Sequence, residues 1–229
     1  MSDLYYLMVI GPHPDDSEFG VAGTVARLVK EGKKVVYVIC TNGNKGSSDR
    51  KMTPEKLVKI REKEQRAAAA VLGVTEVVFL GFPDQWLEDN HEFRKALVRV
   101  IRQYKPHVVA TADPYRRYMQ HRDHRITGQV AADAVYPYAR DHMAYPDLLE
   151  EGYEPHKVRE MWFWGTDDPN IRLDITDTFE TKLKALSCHK SQLDVGPELR
   201  KRLLTFAAMN AQGEKFKLAE AFHRVEMRY

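Results

Sequence analysis

The sequence predicts an α/β fold: a Rossmann-like, doubly wound, mostly parallel sheet flanked by helices, in a single domain over residues 1–229. Three observations predict it. Short runs of bulky apolar residues alternate with stretches of helical periodicity through the first two thirds of the chain. Gly, Pro and Asn stand where one pattern gives way to the other. The chain is also long enough for one substantial core, since a domain of this size buries roughly 70% of its unfolded surface. Strand–helix–strand repeats imply right-handed crossovers and a sheet covered on both faces.

Residues 4–10 are bulky and end in Gly11-Pro12, which predicts a buried first strand. Residues 22–30 place apolar side chains at helical spacing, and Glu31-Gly32 stops the helix. A second strand is expected over 35–40, closed by Thr41-Asn42-Gly43. Thr53-Pro54-Glu55 reads as a helix start with Pro54 at the first helical position. The stretch from there to Leu72 is rich in Ala, Glu, Lys and Arg, and Gly73 caps it. Strands follow at 77–80 and 108–111, with a helix between them at 93–104. Beyond these, 124–134 reads as helix, 159–165 as strand, 178–189 as helix, and 197–220 as one helix with a break at Gly213. Residues 43–52, crowded with Gly, Ser, Lys and Asp, predict a surface loop able to cover a site. Residues 136–155, rich in Pro and Tyr, predict an irregular excursion within the domain.

Hydrophobic residues make up 43% and charged residues 30%, a globular composition. A formal net charge of +2, with bases scattered among acids, leaves no nucleic-acid footprint. The two cysteines, Cys40 and Cys188, are far apart and fit reduced thiols better than a disulfide scaffold. The opening residues lack a basic region followed by an apolar core, and no run nears the ~20 apolar residues of a membrane span. The expectation is a soluble, cytoplasmic protein that binds neither nucleic acid nor membrane.

In open α/β sheets a ligand lies outside the carboxyl ends of the strands, so the residues just past each predicted strand matter most. They are Pro12-His13-Pro14-Asp15-Asp16, Thr41-Asn42-Gly43, Phe82-Pro83-Asp84 and Asp113-Pro114, with His121-Arg122-Asp123-His124 soon after. Adjacent carboxylates on a Pro-flanked turn repel each other. The plain explanation for Asp15-Asp16 is a helix cap beside an exposed acid. A metal ion gives the pair another use, by neutralising it and employing the imidazole of His13. His121 and His124, three apart, share a face on a helical turn and by themselves suit a surface pair equally well. Together with the first cluster, two histidines and one carboxylate can hold zinc with an open position for a water made acidic by the metal. Asp15 can then take the water's proton, and the remaining histidine can stabilise the oxyanion or protonate the leaving amine.

His13-Pro14-Asp15-Asp16 with Glu18 and Gly20, and His121-Arg122-Asp123-His124 far downstream, resemble the LmbE-like (PIG-L) deacetylases, which include the deacetylases of bacillithiol and mycothiol synthesis. Further likenesses are Thr41-Asn42-Gly43, Arg61-x-x-Glu64, Phe79-Leu80-Gly81 with Asp84, and Asp174-Ile175-Thr176 followed by Lys182, Ala185-Leu186 and His189-x-Ser191-Gln192, the Arg61 and Asp84 matches being the looser ones. The resemblance implies a metal-dependent hydrolase that removes an N-acetyl group from an N-acetylglucosamine-type small molecule or glycoside. It implies His13, Asp16 and His124 as ligands of Zn2+, with Fe2+ as the alternative cellular metal. Asp15 would be the general base and His121 the group that stabilises the tetrahedral intermediate and helps the amine depart. Asp123 would orient a histidine from behind, and Arg61 and Asp84 would hold the sugar. It also implies a homo-oligomer, a hexamer being one form. Arg122 departs from the family pattern, where proline commonly follows the first histidine of this motif.

Competing functions are a thiol-conjugate amidase or chitooligosaccharide deacetylase of the same family, and a non-catalytic sugar-binding module. His121-x-Asp123 with a distant histidine is also formally the spacing of a non-haem iron oxygenase, but the alternating α/β pattern disfavours that fold. A base at Asp15 counts against a silent binding module. Trp86 and Trp164, near strand ends, are candidates for a sugar-stacking wall, and His189 reads as a site-edge or structural residue.

Overall fold

The centre of the sheet is apolar on both faces. In β1 (Leu7–Gly11) every residue is buried, with Met8 and Ile10 facing one layer of the core and Leu7 and Val9 the other. That two-sided burial is what a central parallel strand requires. A computed structural model describes residues 5–118 and 121–229 of the chain; Leu4, where the first strand was expected to begin, lies outside them, as do Met119 and Gln120. β1 pairs in parallel with β2 (Val35–Thr41) on one side and β4 (Val108–Ala112) on the other, so that Leu7 stands opposite both Val35 and Val108. β3 (Glu76–Phe82) extends the sheet beyond β2, and β5 (Glu160–Trp164) extends it beyond β4, both parallel. β6 (Ile171–Asp174) and β7 (Ala219–Glu226) complete it, with β7 antiparallel to both β5 and β6. The order among the described residues is β3-β2-β1-β4-β5-β7-β6, the doubly wound, mostly parallel arrangement that the sequence predicts.

Helices cover both faces. α1 (Asp16–Lys30), α2 (Pro54–Leu72) and α6 (Phe179–Leu186) place Val21, Val25, Ala68, Leu72 and Ala185 against Leu7, Val9 and Tyr37. On the other face α3 (His91–Tyr104) and α4 (Arg122–Asp133) set Phe93, Leu97, Ile101 and Val130 against Met8, Ile10 and Val38. α2 begins and ends as its sequence dictates: the Thr53 hydroxyl accepts from the Lys56 amide, and Gly73 closes the helix in the left-handed region at φ 75°. The 136–155 excursion opens with a kinked turn (Ala134–Tyr138), extended at Tyr136 and closed by the Ala139 amide on the Ala134 carbonyl, and goes on to a short α5 (Pro146–Glu150). Arg102, 1% exposed, anchors it by donating to the carbonyls of Tyr138, Ala139, Asp141 and Ala144.

Two expectations need correction. The helix expected over 197–220 ends at Asn210 as α7 (Pro197–Asn210), and the segment from Ala219 is strand β7. Glu220 occupies a buried position in β7, and a charge there hides the strand's pattern. α1 starts at Asp16, six residues before the expected start at residue 22. Its first turn is the polar set Asp16, Ser17 and Glu18, which carries no apolar period to read. The described helices include none long and apolar enough to cross a membrane.

Candidate active site

The strand order reverses at β1, and a crevice opens outside the carboxyl ends of β1 and β4. The turn after β1 brings His13, Asp15 and Asp16 to this crevice, and the start of α4 brings His121, Asp123 and His124. α4 comes close because Gly128 lies against β4; a Cβ there would sit 2.3 Å from the Ala112 carbonyl oxygen.

His13 is the hub. Its Nδ1 lies 2.9 Å from Asp16 Oδ2, and its Nε2 lies 3.1 Å from Asp84 Oδ1 and 3.2 Å from Asp123 Oδ2. The same Asp16 oxygen is 3.2 Å from His124 Nε2 and accepts the His13 amide at 3.0 Å. Asp123 is fully buried and also accepts the Gln85 amide at 2.6 Å. Burial disfavours a charged imidazole at His13, but its contacts with Asp123, Asp16 and Asp84 outweigh that and raise its pKa to about 11. Burial likewise opposes ionisation of Asp16, yet His124 and His13 hold its carboxyl far below the usual range. Asp123 and Asp84 are lowered too, each against the cost of burial, chiefly by hydrogen bonds to His13.

This donor set fits a divalent cation. Among the described residues, His13, His121 and His124 bring ligand atoms within 4.8 Å of one another, as do His13, Asp84 and Asp123. The spacings of 2.9 and 3.2 Å that Asp16 makes with His13 and His124 approach the roughly 3.3 Å edge of a tetrahedron with metal–ligand bonds of about 2.0–2.1 Å. One Asp123 oxygen is buried with no hydrogen-bond partner. Three carboxylates around one imidazole are an environment short of positive charge, which the proton on His13 supplies in the absence of metal.

His121 is held differently. As N-cap of α4 it accepts the Asp123 amide on Nδ1 at 3.2 Å. Nδ1 therefore carries no proton, and the neutral ring bears its proton on Nε2. Burial and the neighbouring His13 and His124 lower its pKa, which keeps it in that neutral, donating form. Arg122, where the family commonly has proline, donates to the Leu87 carbonyl and ties this turn to the segment after β3.

Asp15 caps α1 in the left-handed region at φ 91°, an uncommon conformation for a residue with a side chain. Its amide donates to Gln65 Oε1 at 3.0 Å, and Gln65 in turn donates to the fully buried Glu18, which meets His189 Nε2 at 3.2 Å. Burial and the negative charge of Asp16 push the Asp15 carboxyl up to about 7, with Arg61 and His189 pulling the other way. His189 is thus buried behind Asp15, outside the ligand groups.

Arg61 is buried and donates to the carbonyls of Pro14, Gly43 and Lys45, and to Asp15 at 3.4 Å. Asp84 Oδ2 is 3.9 Å away. Gly43, at φ 59°, is required here, since a Cβ would lie 2.9 Å from the guanidinium. The start of the 43–52 loop is thereby pinned beside the site, and with Arg61, Asp84 and His121 it lines a cavity of about 180 Å3. On the other side of His121 and His124 a larger cavity, about 950 Å3, runs past Trp164 to α7. Trp86 is 71% exposed, with Lys45 Nζ 5.9 Å from its ring centre.

The sequence alone assigns no role to Gln65, Gln85 or Glu220. Gln65 carried one usable signal, since it lies four residues after Arg61 and so shares its helix face. Gln85 acts through its backbone and left no signal in its side chain.

A doubly wound sheet with a histidine–carboxylate centre at its switch point and a buried acid beside it defines a class of α/β hydrolases that use a bound cation. The chain belongs to the PIG-L family, described as GlcNAc-PI de-N-acetylases, whose profile matches residues 8–135. It is an N-deacetylase, a hydrolase of carbon–nitrogen bonds. It is 36% identical over 191 residues to a diacetylchitobiose deacetylase of Thermococcus kodakarensis, covering 83% of this chain and 71% of that protein. A probable N-acetyl-α-D-glucosaminyl L-malate deacetylase of Bacillus anthracis is 27% identical over 197 residues, with 84% and 83% covered. The solved N,N'-diacetylchitobiose deacetylase of Pyrococcus horikoshii superposes with a TM-score of 0.92 at 32% identity, over 98% of this chain and 85% of that one.

Proposed function

We propose that this protein, read as one domain over 1–229, hydrolyses the N-acetyl group of an N-acetylglucosamine-type small molecule or glycoside, releasing acetate and a free amine. The observation that carries the reading is the juxtaposition of a cation-seeking set, His13, Asp16 and His124, with a buried acid at Asp15 whose pKa is raised to about 7. These three residues would hold the ion, with zinc the first choice and ferrous iron the alternative. A divalent cation so held polarises an acyl carbonyl and acidifies a coordinated water.

The protein's own groups supply the rest. Asp15 removes a proton from the attacking water as its oxygen bonds to the acetyl carbon. His121 donates its Nε2–H to the carbonyl oxygen as that oxygen gains charge. The carbon–nitrogen bond then breaks as the nitrogen takes the proton from Asp15, which leaves the carboxylate ready for another cycle. The neutral state of His121 suits it to stabilising the oxyanion and leaves the amine's proton to Asp15. Asp123 fixes the ring of His13 from its Nε2 side. Arg61 and Asp84, at the wall of the smaller cavity, face the sugar, with Arg61 also holding Asp15 in place. A homo-oligomer, a hexamer being one form, and a cytoplasmic location belong to the same proposal.

The test is acetate release from N-acetylglucosamine, diacetylchitobiose and N-acetylglucosaminides by zinc-loaded protein, before and after chelation. Release that chelation stops and zinc restores supports the reading. No release across the panel contradicts it.

A further inference from the structure

Lys182 and Glu220, on α6 and β7, are both buried and form an ion pair at 2.6 Å. The pair meets α1 in an unusual way. Lys182 Nζ donates to the Phe19 carbonyl at 2.7 Å, while Glu220 accepts the Gly23 amide at 2.9 Å and the Thr24 amide at 2.8 Å. In an unbroken helix the amide of residue 23 bonds to the carbonyl of residue 19. Here that carbonyl also accepts from the ammonium and that amide donates to the carboxylate, so the ion pair is clamped onto the backbone of α1 one turn beyond Asp16, within a helix that runs from Asp16 to Lys30. The first turn of α1, N-terminal to the clamp, carries Asp16 and is capped by Asp15.

We propose that Lys182 and Glu220 are positioning residues, whose ion pair, clamped onto the α1 backbone, sets the placement of Asp15 and Asp16 against His13 and His124. Both line the larger cavity with Asp16, His121 and His124 but pair with each other and not with a ligand; they act through the helix. The pair makes three hydrogen bonds to the α1 backbone, so it fixes that helix and not merely its own two side chains. The arrangement also gives a purpose to Lys182 in the C-terminal motif and to the charge buried in β7. The inference relies on the proposed deacetylation only for its kinetic readout.

The double variant Lys182→Met/Glu220→Leu removes both charges and releases the Phe19 carbonyl and the Gly23 and Thr24 amides from the clamp. Replacing a buried ion pair by apolar residues of similar volume is often neutral for stability, so the variant should melt within about 5 °C of wild type. Its zinc affinity, measured by competition with a chromophoric chelator, should fall about 10- to 100-fold, the range for groups that orient metal ligands. kcat should fall with it while KM stays within about twofold. A folded double variant with wild-type zinc affinity and kcat overturns the proposal. If the double variant does not fold, Glu220→Gln, which keeps the volume and one acceptor oxygen, should show the same losses in smaller degree, and wild-type values for both overturn it equally. Wild-type protein that binds zinc but releases no acetate would sink the activity reading and leave the zinc competition to decide this one. Wild-type protein that binds no zinc overturns both.

Discussion

Two clusters of buried charge lie within about a turn of each other along α1, and they are built on opposite terms. At the rim, His13 faces the carboxylates of Asp16, Asp84 and Asp123, and Asp15 stands beside them at φ 91°. In the interior, Lys182 is matched to Glu220, and Glu18 receives Gln65 and His189. Both clusters bear the cost of desolvation. The Lys182–Glu220 pair recovers it from its own partners, whereas the rim has more carboxylates than cations and recovers it fully only with an added positive charge. The unmatched cluster is where chemistry belongs, and the matched one holds it in place.

The largest test of that contrast is His13→Ala. Removing the hub should abolish bound divalent metal, read by elemental analysis, and with it acetate release. Metal content unchanged from wild type would place the cation elsewhere. Next comes pH, with metal saturating. Asp15 works as a base only when deprotonated, and burial beside Asp16 pushes its pKa up to about 7. That value belongs to the metal-free site, and a cation bound at Asp16 pulls it down, so with metal saturating kcat/KM should fall about tenfold per pH unit on the acid side of a point below 7 and level off above it. A kcat/KM that does not fall at all on the acid side would mean that no carboxylate base controls the rate.

A smaller effect probes the excess charge directly. The pKa of His13 is raised to about 11 without metal, so between neutrality and that value the ring must release its proton to bind an ion. Titration calorimetry in buffers of different ionisation enthalpy should report between about one and two protons released per ion bound near pH 8, one from His13 and up to one more from the coordinated water. No proton release would contradict the charge count at the rim. Smallest of all is Trp86→Ala. At 71% exposure it should leave the melting temperature unchanged, and an aromatic contact worth about 0.5–1.5 kcal/mol would raise KM by about two- to tenfold. An unchanged KM would remove Trp86 from the sugar's path.

The same division explains what could be read in the sequence. The rim motifs are local: His13 through Asp16 sit on one turn and His121 through His124 on another, each following a strand of plain apolar pattern. Strand order then brings the two turns together. The supporting cluster is assembled from residues far apart in the chain, Glu18 with His189 and Lys182 with Glu220, and each looks locally like a charge on a solvated surface. Glu220 misled most, since a glutamate at a buried strand position made β7 look like the end of a helix. Asp123 was legible as a residue that orients a histidine, but that His13 is its partner depends on packing between α4 and the turn after β1. Arg61 was expected at the substrate, and the structure adds its contacts with the carbonyls of two loops.

The central claim is that a cation held by His13, Asp16 and His124 works with Asp15 as the base. Its most direct test is the rate of amine release from an N-acetylglucosaminide by zinc-loaded wild type and Asp15→Ala, with zinc content measured in the same samples. The account predicts equal zinc in both proteins and a kcat lower by about 10²–10⁴ in the variant. Equal rates at equal zinc content would contradict it.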